Sequence, residues 1–130
     1  MTLSSSQITD IVNAYFSSFS AMNAAEWAKL FTPDAQAFDP VGNPPSNPQA
    51  DSEQFFGMLR QVNESLEAKP ESIFIGGNEA AVKWSLHAVS KGQKEASAEG
   101  ISIFVINEAG LLEKVSAYWD DKAFMAQFQD

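Results

Sequence analysis

The sequence predicts an α+β fold: a curved antiparallel sheet with three helices from the N-terminal half packed on its concave face. Three observations carry this. Helical spacing of apolar residues dominates the first half of the chain. Strand-like alternation separated by short turns takes over after Pro70. The two halves supply complementary apolar faces, each needing the other for burial. At 130 residues, 45% hydrophobic and with ten Phe, the chain is sized for one domain, spanning residues 1–130, with a real core.

The elements follow in order. Ser4 with Gln7 reads as a capping box, and Ile8, Ile11, Val12, Tyr15, Phe16 and Phe19 then share one helical face. Asn23 with Glu26 opens a second, shorter helix carrying Trp27, Leu30 and Phe31 inward and stopping at Pro33. Residues 35–39 read as a short strand, its last residue held extended by Pro40. A stiff proline-rich loop follows to Ala50. Asp51 or Ser52 caps a third helix with Phe55, Phe56, Leu59, Val62 and Leu66 on its inner face. Strands are expected over residues 72–75, 80–89, 96–106 and 112–119, separated by Gly- and Asn-containing turns. A final helical turn follows Asp120. In the second strand Val82, Trp84, Leu86 and Ala88 face one way, while Lys83, Ser85 and His87 face the other.

Composition excludes several function classes. The formal charge of -9, with no basic run, argues against nucleic acid and anionic membrane surfaces as partners. The absence of cysteine removes disulfide, thiolate and cysteine–zinc chemistry, and a single histidine leaves no metal-ligand set. Neither a cofactor nor a metal is expected. No secretory leader or spanning segment is visible, so the expected location is the cytoplasm. The strand over residues 96–106 turns Ile101, Ile103 and Val105 away from the helices, and these residues are expected to form a homodimer surface. A C-terminal tail folded across them is the other reading.

The candidate chemistry centres on Asp39, in Phe38-Asp39-Pro40-Val41-Gly42-Asn43-Pro44-Pro45. A carboxylate at the end of a short strand, beneath aromatic-rich helices, suits a general base in an apolar pocket. A turn-capping aspartate is the plainer role. The same motif, with Tyr15 upstream and the turn Asn107-Glu108-Ala109-Gly110 leading to Ala117-Tyr118-Trp119, resembles the ketosteroid isomerase-like branch of the nuclear transport factor two-like and polyketide cyclase (SnoaL-like) superfamily. The resemblance covers nearly all of the chain. It implies a cone-shaped fold in which Asp39 shuttles a proton between carbons alpha and gamma to a ketone, while Tyr15 donates a hydrogen bond to the dienolate oxygen. In that family a protonated carboxylic acid is the second donor.

Here the gap-free count back from Gly110 and Trp119 places Ser102 at that position, and Glu99 falls on the opposite strand face. The tyrosines that support the first donor in the family are matched by Phe31 and by Phe56 or Leu59, and the loop after Pro45 is longer. The expected site is therefore Asp39, Tyr15 and Ser102 as catalytic groups. Phe16, Phe19, Phe56, Leu59, Trp84, Leu86, Phe104, Val115, Ala117 and Trp119 are expected to form a pocket for a small hydrophobic molecule. The expected activity is cofactor-independent isomerisation of a small hydrophobic carbonyl compound, with a lyase or cyclase reaction next. A non-catalytic ligand-binding module and a protein-interaction domain of the same fold are the alternatives.

Overall fold

A computed structural model of the chain describes residues 2–129. The elements are α1 (Ser5–Ser20), α2 (Ala24–Ala28), β1 (Phe31–Phe38), α3 (Ser52–Val62), β2 (Asn63–Gly76), β3 (Glu79–Ser90), β4 (Glu95–Ile106), β5 (Leu112–Tyr118) and α4 (Asp121–Ala126). The strands form one curved, unclosed sheet in the order β1-β5-β4-β3-β2, with the helices on one side. The three ladders from β2 to β5 are antiparallel, and β1 lies parallel to β5.

Local sequence explains most boundaries. Ser4 and Gln7 exchange both bonds of a capping box at the start of α1, and the Asn23 side chain accepts from the Glu26 amide to start α2. Asp51 precedes α3 without capping it through its side chain. Its carboxylate accepts from the Asn47 amide and so braces the loop that leads in. A Ser20 hydroxyl that both accepts from and donates to the Ala68 backbone staples α1 to β2.

Two boundaries differ from the sequence expectation. The second helix ends at Ala28, and Phe31 opens β1 instead of closing α2, so the strand runs through Pro33. Pro33 is tolerated because β1 is an edge strand whose pairing with β5 shifts register between Phe31 and Gln36. The first long strand begins at Asn63 rather than near Ser72, which takes Leu66 from the third helix into β2. Pro70 falls where the β2–β3 register shifts, so its missing N–H breaks no regular ladder bond.

The core lies between α1–α3 and the inner sheet face. Ile8 and Val12 from α1, Phe56 from α3, Val82, Phe104, Leu112 and Val115 from the strands are fully buried. Burial of each stabilises the fold by roughly 1.5–3 kcal/mol. On β4 the alternation is strict: Ser102, Phe104 and Ile106 are buried, while Ile101, Ile103 and Val105 face outward. Among the described residues no helix is long and apolar enough to cross a membrane.

Candidate active site

Strand register brings the polar groups of the site together. Phe38 of β1 lies level with Ser116 of β5, so the residues just beyond both strands, Asp39 and Trp119, are neighbours. Trp119 Nε1 donates to Asp39 Oδ1 at 2.7 Å. The Asp39–Pro40 peptide is cis, and the Val41 amide donates to the Ala117 carbonyl at 2.8 Å, which fastens the start of the loop to β5. One step further across the sheet, Ser102 on β4 is buried and its Oγ accepts from Trp84 Nε1 at 2.8 Å. The two indoles meet edge to face with centroids 5.7 Å apart.

These groups border a hollow of about 480 Å³ between the sheet and helices α1, α3 and α4. Tyr15, Asp39, Ser102, Trp84 and Trp119 line it at the sheet, and Phe16, Phe19, Leu59 and Leu86 extend its apolar wall. The volume suits a small organic ligand. Three exposed apolar side chains that also line it, Met58, Val62 and Met125, form part of its wall where solvent reaches it. A second hollow, of about 390 Å³, shares Tyr15, Asp39, Phe55 and Met58 with the first and continues under the proline-rich loop. Tyr15 and Asp39 thus stand where the two meet.

The electrostatics follow from this placement. Desolvation pushes the Asp39 carboxyl above its ordinary value; the Trp119 hydrogen bond pulls it back down, and the charge of Asp121 adds to the rise. Asp39 retains exposed surface while protein atoms crowd its carboxylate, because it borders both hollows. Water reaching it there blunts the upward push without reversing it. Burial, and then the charge of Asp39, push the Tyr15 hydroxyl far above the usual phenol range, so it remains a protonated donor. Among the described residues that hydroxyl has no hydrogen-bond partner, and its ring is fixed edge to face against Phe104 (4.9 Å) and Phe16 (5.2 Å). Ser102 accepts the Trp84 N–H, and its own hydroxyl proton is left to donate.

Of the expected pocket residues, Phe16, Phe19, Leu59, Trp84, Leu86 and Trp119 line the main hollow, and Val115 lines the second. Phe56, Phe104 and Ala117 line neither. Phe104 is covered by the rings of Tyr15 and Phe16, Phe56 by those of Phe19, Trp27 and Phe55, and Ala117 is too short to emerge from the sheet between them. Sequence reasoning missed Asn63, Leu66 and Ala68, which depend on β2 starting early. It also missed Asp121, Phe124, Met125 and Phe128 from the C-terminal segment. The apolar spacing of Phe124, Met125 and Phe128 was the available signal for an amphipathic turn closing on the cavity. His87 pairs with Glu95 on the outer side, 2.9 Å away, and among the described residues no cluster of three or more acidic or histidine side chains could hold a metal.

Comparison with known proteins agrees with this architecture. The SnoaL-like domain matches residues 12–115, and the chain belongs to that family within the nuclear transport factor two-like superfamily. No curated protein matches the sequence. Among solved structures, PrhC from Penicillium brasilianum superposes with a TM-score of 0.82 at 12% identity, covering 94% of this chain and 85% of its own. SalBIII, an epoxide hydrolase/cyclase-like enzyme in pyran ring formation of the polyether salinomycin, gives 0.79 at 17% identity, covering 91% and 94%. The Delta 5-3-ketosteroid isomerase from Mycobacterium sp. gives 0.76 at 17% identity, covering 90% and 95%. At these identities the likeness is one of fold.

Proposed function

We propose that the protein is a cofactor-independent isomerase of a small hydrophobic carbonyl compound. Asp39 takes a proton from the carbon next to the carbonyl and returns it further along the conjugated system. Tyr15 donates to the enolate oxygen, assisted by the free hydroxyl proton of Ser102. The observation carrying this reading is that Asp39 and Tyr15 border one apolar hollow, the carboxyl raised and the phenol protonated and, among the described residues, unpartnered. A raised carboxyl is a stronger base once ionised, and an unpartnered donor needs no bond broken before it meets the substrate.

The test is conjugation of a β,γ-unsaturated ketosteroid, followed by enone absorbance. Turnover well above that of Asp39→Asn supports the reading, and equal rates reject it. A specific observation favours a second reading, a ligand-binding module without chemistry: the position of the family's second acid holds Ser102, a far weaker acid. Unchanged ligand bound equally by the wild type and Asp39→Asn would favour it. The outward face of β4, where Ile101 is joined by exposed Phe74 and Tyr118, is proposed as a homodimer surface. Sedimentation of an Ile101→Asp variant as a monomer, against a wild-type dimer, is the expected outcome.

A further inference from the structure

We propose that α4 and the residues after it form a lid on the main hollow, latched to the sheet by the Gln127 side chain, and that ligand exchange runs through release of that latch. The inference rests on the reading of this hollow as a ligand site and is independent of the reaction assigned to Asp39.

The lid follows from where β5 ends. β5 pairs with β4 only from Ile101 to Ile106, so the earlier part of β4, from Glu95 to Gly100, has no strand on that side. The C-terminal segment returns to this open edge. Gln127 Oε1 accepts from the Ser97 amide at 2.9 Å, and Gln127 Nε2 donates to the Ser97 carbonyl at 2.8 Å. One side-chain amide supplies both bonds that a facing residue would exchange in an antiparallel ladder. Both bonds lie at the surface, where water competes for the same groups, so each is weak in net terms and reforms readily.

The inner side of the segment roofs the cavity. Asp121, Phe124, Met125 and Phe128 all line it. Phe124 is buried, with its ring edge to face against Trp119 (5.6 Å) and Phe128 (5.4 Å). With six residues α4 is too short to hold as a helix alone, so this packing and the latch keep it in place. Its attachment to the sheet is short. β5 ends at Tyr118, Trp119 is held by Asp39 and Trp84, and the Asp120 side chain then accepts from the Ala123 amide to start α4. The segment is free to turn about Asp120 without breaking a ladder bond. Met58 and Val62 of α3 and Met125 of α4 line the hollow with exposed side chains, so the lid's edge borders the mouth. Release of Gln127 widens that mouth, and closure seats Phe124 on the indole that holds Asp39.

The Ser97 amide reports the latch directly. Gln127 holds its proton, whereas the next amide, that of Ala98, points the other way, into the ladder with β3. In native-state hydrogen exchange Ser97 is expected to be at least about tenfold less protected than Ala98, because the lid opens without the sheet. Gln127→Ala is expected to abolish protection at Ser97 and to keep it at Ala98, which shows an intact fold. Stopped-flow fluorescence of Trp84 and Trp119 then follows two neutral probes, a conjugated ketosteroid and a phenylnaphthylamine dye. Gln127 does not line the hollow, so its loss removes no ligand contact. For at least one probe, association and dissociation are both expected to quicken by about three- to tenfold in Gln127→Ala, as the open fraction grows. A substitution that merely damaged the wall would quicken dissociation alone. The proposal is overturned if Ser97 and Ala98 are equally protected in the wild type, if Gln127→Ala leaves Ser97 protected, if neither probe enters, or if association is no faster in the variant. Neither readout needs turnover, so absence of isomerisation would leave the lid standing, and failure of the lid would leave the assignment of Asp39 standing.

Discussion

Two tryptophans make the same contact in the same cavity with opposite consequences. Trp119 donates to Asp39 and Trp84 donates to Ser102, at 2.7 and 2.8 Å, and the rings touch each other. The Asp39 carboxylate is an acceptor only, so the indole bond stabilises its charged form and opposes the desolvation that raises it. The Ser102 hydroxyl is both acceptor and donor, so the same bond occupies a lone pair and leaves its proton available. One indole shifts the titration of a carboxyl; the other leaves a hydroxyl proton free. The difference lies in what receives the bond.

The strongest way to break this comparison is to remove the carboxylate proposed as the base. Asp39→Asn keeps an oxygen for Trp119 and should lower ketosteroid isomerisation by about 10²–10⁴-fold, the usual contribution of a general base. It should also raise stability at neutral pH. A carboxyl raised in the folded state binds its proton more tightly there than in the unfolded chain, so the group costs stability as pH rises from the ordinary carboxylate range through the folded value. The melting temperature of Asp39→Asn should therefore exceed the wild type's at pH 7, and the gap should close in acid. Equal melting temperatures at both pH values would remove desolvation from the account. Next in size, Tyr15→Phe should cost about 10²–10³-fold in turnover, as for loss of one oxyanion donor, with little change in melting temperature because among the described residues the hydroxyl has no partner to lose.

A third substitution tests whether the two indoles need their present packing. A Cβ at Gly100 would lie 2.5 Å from Trp84 Cζ2, 2.8 Å from the Tyr118 carbonyl oxygen and 2.9 Å from Trp119 Cβ. A backbone oxygen and a Cβ cannot retreat as a flexible side-chain tip can. Gly100→Ala should thus destabilise the fold by about 1–3 kcal/mol, read from denaturant unfolding. An unchanged midpoint would mean that the indoles shift freely.

The sequence carried the inner face of β3 because alternation there is unbroken, while in β5 a bulge after Leu112 puts both Leu112 and Val115 inside. It carried the helix face of Tyr15 and the strand end of Asp39 because both are local, and their pairing came from the family resemblance. What it hid was the half of the cavity that depends on where a helix stops. Phe55, Leu59, Val62 and Leu66 keep helical spacing, so nothing in that period marks the break at Asn63. The competing alternation of Leu66, Ala68 and Pro70 wins because β2 gains the whole ladder with β3. Phe56 and Phe104 were misplaced for a related reason. Spacing reports which face a side chain occupies, and only tertiary packing decides whether another ring covers it.

The smallest effect separates the tryptophans most cleanly. Trp119→Phe removes the donor that lowers Asp39, so the carboxyl should titrate at higher pH than in the wild type. Trp84→Phe removes the bond to Ser102 but keeps a ring against Trp119 and leaves the Trp119–Asp39 bond in place, so it should leave that titration unchanged while weakening turnover a few-fold through a less ordered hydroxyl. Carbon NMR of the Asp39 side chain reads the first effect without needing any substrate. If both variants shift the carboxyl alike, the indoles act as one wall and the division of roles fails. If only Trp119→Phe does so, an indole N–H sets the basicity of Asp39, and the pH at which the site works follows from the side chain that follows β5.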